Sequence, residues 1–182
     1  TNMNMTKKYI LPGLLFISLL ISSCTESRKN PRELSDEQLK IGEIIWNSTF
    51  TDLNGNEVSI QDYKGKVVLI DFWETWCGPC LQVFPAMDSL RKEYKDDFVV
   101  LAVNLQDSDT PDEVEAFKND KNYDFNFVLD KNSVGPKVIS FGIPFKIFVD
   151  PNGYIIKAEV GSNGTEGDYL KAKTIIEDNK QS

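Results

Sequence analysis

Histidine is absent from this chain of 182 residues. The absence excludes Ser-His-Asp and Cys-His nucleophile systems, because both need an imidazole base. Zinc sites built on histidine are excluded as well, and three cysteines are too few for a closed four-thiolate zinc site. Any chemistry at the reacting centre must therefore rest on other side chains.

Basic residues are scarce, since 20 Lys and Arg stand against 28 Asp and Glu and give a formal net charge of −8. Nucleic-acid binding depends on basic patches that neutralise phosphates, so the composition argues against a nucleic-acid partner. It also argues against electrostatic adhesion to anionic lipid. We expect a solvated acidic surface.

The N-terminal apolar stretch, residues 10–21, follows two lysines and is shorter than the roughly 20 residues of a membrane-spanning helix. Such an order is typical of a secretory signal peptide. The sequence Ile-Ser-Ser-Cys that ends at Cys24 resembles a bacterial lipobox, whose cysteine carries lipid. We predict a lipoprotein signal peptide over 1–23, a flexible tether over 24–40 and a folded domain over 41–182. Ordinary cleavage with a spare cysteine, or an uncleaved anchor, remain alternatives.

Only two cysteines remain if Cys24 carries lipid, and they form the sequence Cys77-Gly78-Pro79-Cys80. This pair follows an apolar run at 67–70 and precedes a helical pattern. Two cysteines with this spacing at a strand-to-helix junction are a redox signature. The alternative is an inert disulfide or the remnant of a metal site.

The position of Cys77 before a helix favours its ionised form, because unpaired amides and the helix dipole stabilise negative charge there. Gly78 lets the turn close, and Pro79 can begin a helix without losing a hydrogen bond. We therefore predict that Cys77 is the exposed nucleophile, which forms a mixed disulfide with a substrate. Cys80 would then resolve that adduct after losing its proton.

Apolar periodicity and turn residues divide the rest of the chain into alternating strands and helices. The predicted elements are a hairpin over 49–60, strands over 66–73, 98–105 and 125–129, helices over 79–95, from Thr110 and over 166–178, a short helix within 131–140, and a hairpin over 144–160. Strands that alternate with helices, with a hairpin near the end, indicate an α/β domain with a mixed sheet.

These segments resemble thioredoxin-fold proteins of the TlpA/ResA type, which are envelope-facing thiol-disulfide oxidoreductases. Four segments carry the resemblance, which covers about 41–180: residues 50–66, 71–80, 141–144 and 148–153. The resemblance implies a thioredoxin-like fold, in which a mixed central sheet is flanked by helices and preceded by an N-terminal hairpin. It also implies a central insertion around 110–129.

The resemblance assigns Asp71 as a buried acid beneath the cysteines, with a raised pKa, that takes the proton of Cys80. Ala102 stands where thioredoxins have a lysine, so we predict that Asp71 lacks a cationic neighbour. Glu74 is expected to be a solvated charge. The alternative for Asp71 is a hydrogen-bonded strand residue with no role in proton transfer.

A substrate surface around the cysteines is also implied. Pro144 falls at the family's cis-proline, which would bring the Ile143 backbone to pair with the substrate main chain. Trp76 is expected at the rim of the docking surface, beside Gly78 and Pro79. A trans proline in an ordinary turn is the alternative for Pro144.

Gly78 and Pro79 offer no donor to a Cys77 thiolate. Asp71 and Glu74 add negative charge nearby, and both effects favour a protein-disulfide reductase. The resemblance implies that this reductase needs no cofactor beyond its two cysteines. Its clients would be exported proteins with cysteines, such as apocytochrome c, and its electrons would come from a membrane donor of the DsbD/CcdA kind. It would be lipid-anchored in the bacterial envelope, facing the periplasm, on either membrane. A peroxiredoxin-like peroxidase and a redox-silent binding lipoprotein are the alternatives.

Overall fold

The computed structural model describes residue 1 and residues 29–181. The predicted signal peptide, Cys24 and the first part of the predicted tether therefore lie outside the described residues. Among the helices of the described ranges, none combines the length and apolar character that a membrane crossing requires.

Five α-helices and seven strands make up the described fold. The helices are α1 (Asp36–Trp46), α2 (Gly78–Glu93), α3 (Pro111–Lys121), α4 (Gly135–Val138) and α5 (Gly164–Asn179). The strands are β1 (Phe50–Asp52), β2 (Glu57–Val58), β3 (Val67–Trp73), β4 (Phe98–Asn104), β5 (Asn126–Leu129), β6 (Phe145–Val149) and β7 (Ile155–Val160). A 3₁₀ helix, Ile60–Tyr63, follows the first hairpin.

The strands form one mixed sheet in the order β2-β1-β5-β4-β3-β6-β7. Strands β3, β4 and β5 run parallel, whereas β6 pairs antiparallel with β3 and β7 antiparallel with β6. All residues of β3, β4 and β6 are buried, as expected for strands covered on both faces. The predicted α/β class and mixed sheet are confirmed.

Two apolar clusters cover the two faces of this sheet. Leu69 and Trp73 of β3 pack with α2, α3 and α5. Ile70 and Phe72, which point the other way, pack with α1 and α4. Alternate residues of one strand thus belong to different layers, and any side chain in register with Leu69 or Trp73 faces α2.

Helix starts follow their sequence signals. Thr110 caps α3, and its hydroxyl accepts a bond from the Glu113 backbone while the Glu113 carboxylate accepts from the Thr110 backbone, which is a capping box. Pro111 occupies the first turn, where its missing N–H costs nothing. This helix and β5 form the central insertion expected from the sequence.

The ordered part of the domain begins earlier than the predicted boundary at residue 41. Helix α1 starts at Asp36, where the Ser35 hydroxyl caps it by accepting the Gln38 N–H. Ahead of it, the Arg32 guanidinium donates to Asp150 at 2.7 Å. Residues 32–40, predicted as flexible tether, are therefore held to the domain because they supply a capped amphipathic helix and an ion pair.

The sheet brings three loops to one edge. Strands β3 and β4 end there because they are parallel, so the loops that follow Trp73 and Asn104 are neighbours. Strand β6 is antiparallel to β3 and begins at the same edge, immediately after Pro144. The segments 74–80, 105–110 and 141–144 consequently meet at one end of the fold.

Candidate active site

Cys77 and Cys80 are joined by a disulfide at the start of α2. Their Cα atoms are 5.3 Å apart, within the ordinary range for a disulfide. Cys77 is the cap residue of the helix, and its sulfur accepts the Cys80 backbone N–H at 3.3 Å. The same N–H would stabilise a Cys77 thiolate once the disulfide is reduced.

The expectation of an exposed Cys77 is wrong for this oxidised state. Cys77 is 2% exposed and Cys80 is 0% exposed, and both belong to the apolar cluster under α2. The physical reason is that the bond to Cys80 and the capping N–H both hold the Cys77 sulfur inward. A difference in reactivity between the two sulfurs therefore has to arise after reduction.

Asp71 lies in the middle of β3 and is completely buried. It alternates with Leu69 and Trp73, so it faces the same layer as the two cysteines. Neither carboxylate oxygen has a hydrogen-bond partner among the described residues. Burial raises the pKa of Asp71 from 3.8 to about 8. A carboxyl group with that pKa can accept and return a proton near neutral pH.

The prediction that Asp71 lacks a cationic neighbour is wrong. Lys146 of β6 pairs with Asp71 in the sheet register, and its charge opposes the rise in the Asp71 pKa. Sequence reasoning missed this residue because register across β6 is not visible in the chain. A lysine inside the apolar run Phe145–Val149 was the available signal, since a buried cation requires a partner.

The prediction that Glu74 is solvated is also wrong, because its exposure is 0%. The Glu74 carboxylate accepts the backbone N–H groups of Asp107 and Asp109 at 3.0 and 3.1 Å, and the Ser108 hydroxyl at 3.1 Å. Burial raises the pKa of Glu74, and the nearby Asp109 carboxylate adds to the rise. Glu74 thus fastens the segment 74–77, called the redox loop below, to the loop after β4.

Asp109 makes the complementary contacts. Its carboxylate accepts the Thr75 backbone N–H and hydroxyl, both at 2.6 Å, and the Asn104 side chain at 2.7 Å. Although burial opposes them, these hydrogen bonds hold the pKa of Asp109 below its ordinary value. The segment before Cys77 is therefore held from both sides by two acids, and no sequence motif points to this role for either of them.

Trp76 is 66% exposed beside the disulfide, as expected, and its indole N–H donates to Ser108. Gly78 and Pro79 are exposed next to it. The Ile143–Pro144 bond is cis, which confirms that expectation. A groove of about 310 Å³ lies between the segments 74–80, 105–110 and 141–144. Trp76, Ile143 and Leu105 are among its lining residues, and Glu74 and Asp107 form its polar side.

Metal binding finds no support in the described ranges. No group of three or more Cys, Asp and Glu side chains in residues 29–181 is arranged to hold an ion. The chemistry that the site offers is the exchange of a disulfide for two thiols, with a buried carboxyl group beneath them.

Comparison with known proteins places this arrangement in a family. The Redoxin family matches residues 40–176. The chain belongs to the Redoxin family. It is 32% identical over 146 residues to the thiol-disulfide oxidoreductase ResA of Bacillus thuringiensis subsp. konkukian, covering 76% of this chain and 82% of that protein.

Two further similarities agree. The thioredoxin-like protein YneN of Bacillus subtilis is 38% identical over 111 residues, which cover 60% of this chain and 65% of YneN. The crystal structure of the thioredoxin domain of a thiol-disulfide oxidoreductase from Bacteroides vulgatus is 33% identical, with a TM-score of 0.58, over 71% of this chain and 92% of that one. Together with the Cys77–Cys80 disulfide, these similarities show that this Redoxin chain is a thiol-disulfide oxidoreductase of the TlpA/ResA type with a thioredoxin-like fold.

Proposed function

We propose that this oxidoreductase works as a reductase of disulfides in exported proteins, in a lipid-anchored position at the bacterial envelope. The observation that carries the reductase assignment is the set of groups around Cys77. The hydrogen bond to its sulfur comes from the Cys80 backbone, and Gly78 and Pro79 have no side-chain donor. A poorly stabilised thiolate favours giving electrons away.

The acids near the disulfide support the same direction. Glu74 and Asp109 place carboxyl groups directly before and beside the redox loop. Because Asp71 has a pKa of about 8, most of it is protonated at pH 7 and adds little fixed negative charge, and only its ionised fraction accepts a proton. Ionised Asp109 disfavours a second negative charge on Cys77, as expected for a reductant.

The client would be an unfolded or extended polypeptide that carries a cysteine. The groove beside the disulfide offers an apolar lining with an acidic side, and the cis Ile143–Pro144 bond presents backbone next to it. An extended segment could pair with that backbone. Exported proteins with cysteines, apocytochrome c included, have this chemistry, and a membrane donor of the DsbD/CcdA kind would return electrons to the pair.

The position of the N-terminal segment supports an outward-facing site. Asn30 donates to the Ile155 carbonyl and Arg32 to Asp150, at the end of the sheet where β3 begins. The redox loop follows the other end of β3, about 20 Å away along the strand at roughly 3.3 Å per residue. A lipid on Cys24 would therefore hold the domain with Cys77 facing away from the membrane.

Redox titration tests the direction of electron flow. The protein is equilibrated with buffers of defined thiol-to-disulfide ratio, and the fraction of reduced Cys77 and Cys80 is read by alkylation and mass spectrometry. We expect a potential nearer the roughly −270 mV of thioredoxin than the roughly −120 mV of DsbA. A value near the DsbA end would overturn the reductase proposal.

A peroxide-consumption assay separates the peroxidase alternative. The reduced protein is mixed with hydrogen peroxide, and a Cys77→Ser variant serves as control. We expect loss of peroxide no faster with the unaltered protein than with the variant. Rapid consumption that requires Cys77 would favour the peroxidase.

A further inference from the structure

A row of charged side chains crosses the sheet beneath the disulfide. Asp71 of β3, Lys146 of β6 and Glu159 of β7 occupy one register position on adjacent strands, and residues directly opposite each other point to the same face. On the other side of Asp71 the row continues with Ala102 of β4. The row thus runs from the buried acid toward the β7 edge of the sheet.

Lys146 is fixed in this row by two acids. It is 1% exposed, and its ammonium group lies 2.7 Å from an Asp168 oxygen and 3.5 Å from a Glu159 oxygen. Asp168, at the start of α5, also accepts the Ser162 hydroxyl. Although burial opposes it, the bond from Lys146 lowers the pKa of Asp168. The ammonium group is therefore held in one place below α5.

Glu159 connects the row to the surface. Its carboxylate accepts from Lys171 at 2.6 Å and lies 3.1 Å from the Lys157 ammonium group, and both lysines are partly exposed. Both cations contact the same Glu159 oxygen, whereas the other oxygen has no hydrogen-bond partner in the described chain and lies 3.5 Å from the Lys146 ammonium group. The oxygens of Asp71, which lies opposite Lys146 in the sheet register, likewise have no hydrogen-bond partner among the described residues.

Groups from α2, β4, β6 and α5 face Asp71. Helix α2 brings the uncharged Cys77–Cys80 disulfide, and β4 brings Ala102. Strand β6 brings Lys146, α5 brings Asp168, and Glu159 lies one strand further away. Burial has the largest effect on the pKa of Asp71 and raises it. The charge of Lys146 lowers this pKa, and the charge of Asp168 raises it by a smaller amount than Lys146 lowers it.

We propose that Lys146 is the positioning residue that lets the buried Asp71 ionise near neutral pH, and that Asp168 limits this effect while holding Lys146 in place. A buried carboxyl group without a cation stays protonated, and a protonated Asp71 cannot take a proton from Cys80. Lys146 acts on the reaction only through Asp71, its partner in the sheet register.

Resolution of the mixed disulfide is the step that depends on Asp71. Client and Cys77 are joined in a mixed disulfide, and the Cys80 thiol passes its proton to the Asp71 carboxylate. The Cys80 thiolate attacks the Cys77 sulfur, so that the Cys77–Cys80 bond forms and the Cys77–client bond breaks. The client leaves as a thiolate and is protonated by water. The client sulfur is reduced and Cys80 is oxidised. This step rests on the proposed roles of Cys80 and Asp71.

Carbon-13 NMR of the aspartate side-chain carboxyl groups in the oxidised protein tests the proposal without any client. The Asp71 signal is identified by its loss in Asp71→Asn. We expect Lys146→Met to raise the Asp71 titration midpoint by about one pH unit, as for removal of a nearby opposite charge, and Asp168→Asn to lower it. If Lys146 and Asp168 had only structural roles, the two variants would not shift the Asp71 midpoint in opposite directions.

A double variant keeps the test valid if Lys146→Met alone fails to fold. Lys146→Met combined with Asp168→Asn leaves no single buried charge and is expected to fold. Its Asp71 midpoint should lie above that of the unaltered protein, because the effect of Lys146 is the larger. Lys146→Arg, which retains the charge, should leave the midpoint in place. Shifts of Lys146→Met and Asp168→Asn in the same direction, or none, would overturn the proposal.

Release of a trapped client measures the consequence for the reaction. Single-turnover release at pH 7 should be about tenfold slower in Lys146→Met, since one pH unit corresponds to a factor of ten in ionised Asp71. The same change in an Asp71→Asn background should have no effect. If release fails in all proteins while the NMR midpoints shift as expected, the assigned reaction is wrong and the role of Lys146 toward Asp71 stands.

Discussion

Replacing Asp71 by asparagine should change the pH dependence of stability. The folded-state pKa of about 8 lies above the unfolded value of 3.8, so the folded protein holds the Asp71 proton more tightly. Its contribution to stability is therefore fully present below about pH 4 and is lost as the pH rises toward 8. Asparagine does not titrate, so the variant lacks this loss.

The size of the effect follows from the two pKa values. Between pH 5 and pH 7, both inside this window, the unfolding free energy of the unaltered protein should fall relative to the variant by about 1.4 kcal/mol per pH unit, or about 3 kcal/mol in total. The other titrating groups are common to both proteins and cancel in the comparison.

Urea unfolding of both oxidised proteins at pH 5 and pH 7 measures this difference. The comparison is the change with pH of the free-energy difference between them, so a constant cost of the asparagine itself does not matter. Parallel pH dependences for the two proteins would refute the conclusion that Asp71 is a buried acid with a strongly raised pKa.

Three further outcomes are expected. Cys80→Ser should accumulate a mixed disulfide between Cys77 and its client, visible by mass spectrometry, and an absence of adducts under conditions where the unaltered protein turns over would contradict the resolving role. Glu74→Ala should reduce the unfolding free energy by about 2 kcal/mol, because it leaves backbone donors of the 105–110 loop unpaired; an unchanged urea midpoint would count against that role. Gly135→Ala should lower the unfolding free energy by about 1 to 3 kcal/mol through overpacking, since a Cβ there would overlap Leu105. Gly78→Ala, with open space at its Cβ, should leave the unfolding free energy unchanged. Thermal unfolding measures both variants, and equal effects would contradict the overpacking.

The local signals in the sequence predicted most of the fold. The spacing of Cys77 and Cys80, the capping residues at Thr110 and the apolar runs of β3 and β4 each act over a few residues, and the structure agrees with them. The cis bond at Pro144 was expected only through the resemblance. The cysteine spacing, the capping residues and the apolar runs were predictable because neighbouring residues in the chain determine them.

The errors concern residues whose environment is created by distant segments. Glu74 looks solvated in the sequence, but the loop after β4 folds over it and supplies backbone donors. Lys146 meets Asp71 only because β6 pairs with β3 in one register. Neither contact leaves a periodic pattern in the chain. The burial of Cys77 likewise arises from its bond to Cys80 and from the apolar cluster around it, neither of which is visible in the sequence.

Reduction of insulin by the thiol form of the protein shows whether the Cys77–Cys80 pair exchanges electrons with a protein disulfide. The unaltered protein, regenerated by dithiothreitol, is compared with Cys77→Ser under the same conditions. We expect the unaltered protein to accelerate precipitation of the insulin B chain and the variant to fall to the uncatalysed rate. Equal, near-zero turnover in both proteins would contradict this expectation.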